Sequence, residues 1–249
     1  MTASVRIDSV PPVTEATRYT TVFLDFGGVL SPPIEDLFLE YERVTGIAPA
    51  DLKAAMAGVA DGLGVDVLAP VELGLLTEVE WVRRMHRWLT CRGVDVSRSD
   101  LDFGRQWFAG HQVNATMRRL VFELKARGYR VGILTNNVRE WEAHWRPMVG
   151  LDEDVDAIVD SYDVGCRKPE PEIFAISENR IGAAPGTAIL VDDLESNCAA
   201  ARRAGWGAVR FVDNDQTLAD LAALLRAQDG AAADDAIAAA ITTDRETIA

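Results

Sequence analysis

A chain of 249 residues, 48% hydrophobic and 26% charged, has room for one α/β domain with a large insert or for two modest domains. Its formal net charge of −14 argues against a nucleic-acid groove or an anionic membrane surface, since both need clustered Lys and Arg. The scattered cysteines Cys91, Cys166 and Cys198 fit no zinc or redox spacing, residues 1–19 lack a signal-peptide core, and no run approaches membrane-spanning length, so a cytoplasmic protein is expected.

Residues 1–19 read as a flexible leader. The first strand covers 20–25: Val22-Phe23-Leu24 is apolar, ends on Asp25, and Gly27-Gly28 opens the chain straight after it. Ser31-Pro32-Pro33 breaks regular structure. From 33 to 113 only helical patterns follow. They cover 34–41, 52–59 and a helix over 81–89 with Thr77 at its N-cap and Glu80 three residues on, then a short segment over 102–110. Gly62-Leu63-Gly64 and Ala69-Pro70 read as interruptions. An α-helical cap inserted after the first strand is therefore expected at 33–113, with swivel points at Ser31-Pro32-Pro33 and Val113-Asn114.

The α/β rhythm resumes at Asn114. A helix over 117–126 leads to a strand over 130–135, and a helix carrying Trp141 and Trp145 is expected to close at Pro147. Strands over 157–160, 187–191 and 208–212 alternate with helices over 172–181, 197–204 and 218–227. Such alternation predicts a Rossmann-like α/β core with a parallel sheet, built from 20–32 and 114–228. The Ala- and Asp-rich stretch 229–249 reads as a flexible tail.

Four strand ends then fall on one sheet edge: Asp25, Thr135, the loop bearing Lys168, and Asp192-Asp193. Taken singly, Lys168 reads as a surface lysine, Thr135 as a helix cap and Asp192-Asp193 as turn residues. Together they suit phosphoryl chemistry. Clustered carboxylates form a hard-oxygen site for Mg²⁺, one carboxylate can be a covalent nucleophile, Lys168 offsets the charge of a phosphate dianion, and the Thr135 hydroxyl can hold a phosphate oxygen.

The ordered set Asp25-x-Gly27-Gly28-Val29, Ile133-Leu134-Thr135-Asn136-Asn137, Arg167-Lys168-Pro169 and Leu190-Val191-Asp192-Asp193-x-x-x-Asn197 resembles the haloacid dehalogenase superfamily, over nearly all of 20–212. It is most similar to the helical-cap phosphatases, the group that includes the N-terminal phosphatase domain of soluble epoxide hydrolase. The resemblance implies Asp25 as nucleophile and Thr135, Asn136 and Gly28 at the phosphate. It implies Lys168 as the charge steadying both Asp25 and the phosphoryl group. For Mg²⁺ it implies Asp25, the Gly27 carbonyl and Asp193, with Asp192 a second ligand or an outer partner. A small phosphorylated metabolite is the implied substrate and a monomer or homodimer the implied state.

One position departs from that pattern. The family's phosphatases carry a second aspartate, the general acid and base, where this chain has Gly27. General acid–base help is typically worth ~10²–10⁴-fold. Three readings follow: a replacement from the cap, with Glu35, Asp36 and His111 as candidates; a substrate whose leaving group needs no acid, such as an acyl phosphate or an anomeric sugar phosphate; or a phosphate-binding or scaffold protein with little turnover. Dehalogenation stands lower, because Asp192-Asp193 would repel a carboxylate substrate.

Overall fold

The computed structural model describes residues 18–229, so the leader at 1–17 and the tail at 230–249 lie outside the described residues. Five parallel strands, β1 (Thr21–Leu24), β2 (Arg130–Thr135), β3 (Ala157–Asp160), β4 (Ala188–Asp192) and β5 (Gly207–Arg210), form one sheet in the order β3-β2-β1-β4-β5. Leu24 stands in register with Ile133 on one side and Val191 on the other, so all three central strands end at one edge. Side chains alternate across the sheet. Val22, Leu24, Ile133 and Val191 feed one core, while Phe23, Leu134, Val159 and Leu190 feed the other. Gly132 is required inside β2 because a Cβ there would lie 2.4 Å from the Phe23 ring.

Between β1 and β2 the chain is helical: α1 (Ile34–Thr45), α2 (Pro49–Asp61), α3 (Ala69–Glu72), α4 (Glu78–Thr90), α5 (Phe103–Trp107) and α6 (Ala115–Ala126). Residues 33–113 hold no strand. Thr77 caps α4 through Glu80 N–H at 3.3 Å, whereas the Glu80 carboxylate turns to Arg84 instead of completing the box. The apolar faces of α1, α2, α4 and α5 join the core on the β1 face of Val22 and Leu24 in one continuous cluster. Asn114 ties the two connections together: its N–H donates to Leu30 O at 2.8 Å and its Nδ2 to Val29 O at 3.0 Å.

The remaining helices are α7 (Glu142–Val149), α8 (Ser161–Val164), α9 (Pro171–Ile181), α10 (Glu195–Arg203) and α11 (Asn214–Asp229). Three expectations are corrected. Pro147 does not end α7, which runs two residues further and stops at Gly150 in the left-handed region, so the helix forgoes the one bond that a Pro147 N–H would have made to Ala143 O and continues past it. Ala69-Pro70 opens α3 instead of interrupting a helix, since proline is tolerated in a first turn. β5 ends before Val212, which is exposed. No described helix is long and apolar enough to cross a membrane.

Candidate active site

Asp25 follows β1 in extended conformation, and its N–H donates to Val191 O at 2.9 Å. Its Oδ1 accepts from Phe26 N–H at 2.7 Å and lies 2.9 Å from Lys168 Nζ. The same ammonium donates to Asp192 Oδ2 at 2.7 Å and to Leu134 O at 2.8 Å. All three of its protons thus have acceptors. Lys168 is 1% exposed, so the reading of it as a surface lysine is wrong: its charge is neutralised by two carboxylates, which is the usual condition for burying an ammonium.

Asn136 holds the Lys168 loop by its main chain, accepting from Lys168 N–H at 2.8 Å and donating to Lys168 O at 2.9 Å. Asp192 is fully buried. It accepts from Asn197 Nδ2 and Leu194 N–H as well as from Lys168, while Asp193 lines a cavity in front of it. Thr135 ends β2 opposite Asp160, is buried, and does not line that cavity.

The two glycines after Asp25 differ sharply. Gly28 sits at φ 70°, and a Cβ there would lie 2.7 Å from Asp193 Oδ2, so a side chain would push Asp193 out of place. Gly27 has ordinary dihedrals, and a Cβ there would meet only Ile34 Cδ1, at 4.0 Å. The place of the family's second aspartate is therefore open space. Of the three candidate replacements, Glu35 and Asp36 are exposed, His111 is half-buried, and none lines the cavity.

Oxygens of Asp25, Asp192 and Asp193 all lie within 4.8 Å of one another. Burial, with Asp192 and Asp193 adding to it, raises the Asp25 carboxyl well above its ordinary value against the pull of Lys168. Burial lowers the Lys168 ammonium, but Asp192 and Asp25 more than reverse this and keep it protonated. Burial and Asp192 push Asp193 up to about 6. Three carboxylates and one ammonium leave the cluster short of positive charge. An all-oxygen set of this kind fits a hard divalent cation such as Mg²⁺.

The cavity of about 320 Å³ is polar only at the end formed by Asp25, Lys168, Asp193 and nearby amides. Sequence reasoning missed two of its features. Asn137 Nδ2 is buried without a hydrogen-bond partner while the residue lines the cavity, a donor that its neighbour Asn136 hid. Arg167, next to Lys168, pairs with Glu72 of α3 at 2.8 Å, and Ser161 Oγ donates to Glu72 O at 3.0 Å, which ties the helical region to the Lys168 loop. The only signal for that tie was an arginine beside the lysine.

Several known proteins are similar in sequence or in fold to this chain. Bifunctional epoxide hydrolase 2 of Rattus norvegicus is 28% identical over 123 residues, 47% of this chain and 22% of that protein. Glyceraldehyde 3-phosphate phosphatase of Methanopyrus kandleri is 32% identical over 94 residues, 36% of this chain and 40% of that one. The chain thus spans less than half the length of either relative. Among solved structures, a haloacid dehalogenase-family enzyme from Bacteroides thetaiotaomicron, in complex with magnesium and inorganic phosphate, aligns with a TM-score of 0.56 at 22% identity over 77% of this chain and 93% of that one, a likeness of fold. Residues 19–205 match the family described as haloacid dehalogenase-like hydrolase, and with the parallel sheet and its acidic edge already in view, the chain belongs to that family of hydrolases.

Proposed function

We propose that the protein is a Mg²⁺-dependent phosphomonoesterase acting on a small phosphorylated metabolite, with residues 33–113 as a cap over a core of 20–32 and 114–228. The observation that carries this reading is the buried Lys168 ammonium bridging Asp25 and Asp192 at the polar end of the cavity, at 2.9 and 2.7 Å. Asp25 and Asp193, with the Gly27 carbonyl, would hold the cation, and Asp192 serves better as the partner that fixes Lys168. The cation, when bound, supplies charge neutralisation at the phosphoryl oxygens.

Asp25 has one oxygen fixed and one to spare. Oδ1 is held by Phe26 N–H and Lys168, and Oδ2 makes no hydrogen bond among the described residues, which suits an in-line attack on phosphorus. Lys168 steadies the anionic carboxylate before attack and the phosphoryl oxygens after it. Asn137, which lines the cavity, adds a buried amide whose Nδ2 has no hydrogen-bond partner among the described residues. The aspartyl-phosphate is then hydrolysed by water, returning Asp25.

The test is phosphate release from an aryl phosphate in the presence of Mg²⁺. Asp25→Asn, which keeps an acceptor for Phe26 N–H, should lower turnover on the order of 10³-fold or more with the fold intact. Undiminished turnover in that variant would sink the covalent mechanism, and binding of a phosphate analogue without turnover in the wild type would favour a binding protein.

A further inference from the structure

The apolar part of the cavity lining has a chemistry that phosphoryl transfer alone does not call for. Ile34, Leu37, Phe38, Met56, Trp107 and Phe108 line it, all apolar apart from one indole N–H. A polyhydroxylated body placed there would surrender its water hydrogen bonds without replacement. Each hydroxyl left unpaired costs on the order of tenfold in affinity. Hydrocarbon and aromatic bodies gain by the same transfer.

The leaving-group side adds an independent constraint. Gly27 leaves open space whose nearest neighbour is the Ile34 methyl at 4.0 Å. The acidic residues lining the cavity are Asp25 and Asp193, both taken up in the Lys168 cluster, and no histidine lines it. Among the described residues that line the cavity there is thus no other carboxyl or imidazole to protonate a departing oxygen.

We propose that the substrate, on the reading that this site is a phosphatase, carries its phosphate on a weakly basic oxygen of an apolar body, as an aryl phosphate or an acyl phosphate does. An Asp25 carboxylate oxygen bonds to phosphorus as the bond from phosphorus to the phenolic or carboxyl oxygen breaks. That oxygen takes the bonding pair and leaves as phenolate or carboxylate, so no proton is required. Water then bonds to phosphorus, the bond to Asp25 breaks, Asp25 departs as carboxylate, and the proton of the water passes to solvent with release of inorganic phosphate.

The experiment compares kcat/KM of the Mg²⁺-loaded full chain for naphthyl phosphate, benzoyl phosphate, octyl phosphate, acetyl phosphate and glucose 6-phosphate. Naphthyl or benzoyl phosphate should exceed glucose 6-phosphate by about 10²-fold or more, and the two arms tell the aryl source from the acyl one. Octyl phosphate, apolar but with a basic leaving oxygen, should lag both, and Gly27→Asp should narrow the gap between octyl and naphthyl phosphate about tenfold or more. Met56→Gln should lower the preference for naphthyl over acetyl phosphate. Glucose 6-phosphate matching naphthyl phosphate, or octyl phosphate matching it in the wild type, would overturn the substrate class while leaving the phosphatase reading standing. Failure to release phosphate from any of the five would overturn that reading and the inference with it.

Discussion

In one part of the cavity lining a buried ammonium lies within 3 Å of two carboxylates, and in another Phe38 and Trp107 meet edge to face at 4.9 Å, with the Lys53 ammonium 4.4 Å from the Phe38 ring centroid. The polar part is assembled from residues at the tips of β1, β2 and β4, which parallel pairing forces to one edge, and from Lys168 in the loop between α8 and α9. The apolar part comes from α1, α2 and α5, helices of the segment between β1 and β2 that join the common core. On the proposed function the contrast separates two jobs: the acidic edge with Lys168 would supply the reaction, and the helices would supply the choice of molecule. An electrostatic site tolerates little change, because an unpaired buried charge is costly, whereas an apolar wall degrades by increments.

The sharpest way to break the contrast is at Lys168. Lys168→Met leaves Asp25 and Asp192 buried without their cation, a loss of about 3–5 kcal/mol by the usual cost of breaking a buried pair. Urea unfolding at pH 7 without Mg²⁺ measures it, and the deficit should shrink when Mg²⁺ is added. A loss below about 1 kcal/mol would mean that the polar end is not held by this ammonium.

Asp160 sharpens the comparison from the same sheet edge, since it ends β3 yet stands outside the Lys168 cluster. Burial above all raises its carboxyl from 3.8 to about 8. The folded state keeps this proton while the unfolded state loses it, so stability falls as pH rises from about 4 to about 8 and is level outside that window. The slope is about 1.4 kcal/mol per pH unit. Asp160→Asn cannot titrate, so its stability relative to wild type should climb across that window. A constant difference between the two would contradict a buried neutral carboxyl.

The adjacent glycines give the smallest effect and the cleanest pairing. Gly28→Ala strains a left-handed residue and drives a Cβ against Asp193, at an expected cost of about 1–3 kcal/mol. It should also weaken Mg²⁺ binding in calorimetric titration. Gly27→Ala meets only a distant methyl and should change either quantity little. Equal effects at the two positions would dissolve the distinction.

How much of this was legible in the chain follows the same division. Strand-end acids, the lysine before proline and the alternation of elements leave marks that are local and contiguous, so the sheet and the membership of its edge could be read directly. The apolar wall left no mark, because Leu37, Phe38, Met56 and Trp107 have the periodicity of any core residue and their convergence is a tertiary fact. Partner assignment was also hidden. Asn136 is engaged by the Lys168 main chain and Thr135 is buried outside the cavity lining, details set by loop closure and not by spacing. Pro147 misled because the helix continues past it to Gly150 despite the lost N–H, and Gly150 in the left-handed region is the actual stop.

The most direct test of the central claim is to quench the Mg²⁺-loaded enzyme with acid during turnover of naphthyl phosphate and map any phosphoryl group by peptide mass analysis. The account predicts phosphate on the peptide bearing Asp25, absent from Asp25→Asn. Phosphate on another residue, or turnover with no labelled peptide under conditions that preserve acyl phosphates, would contradict it.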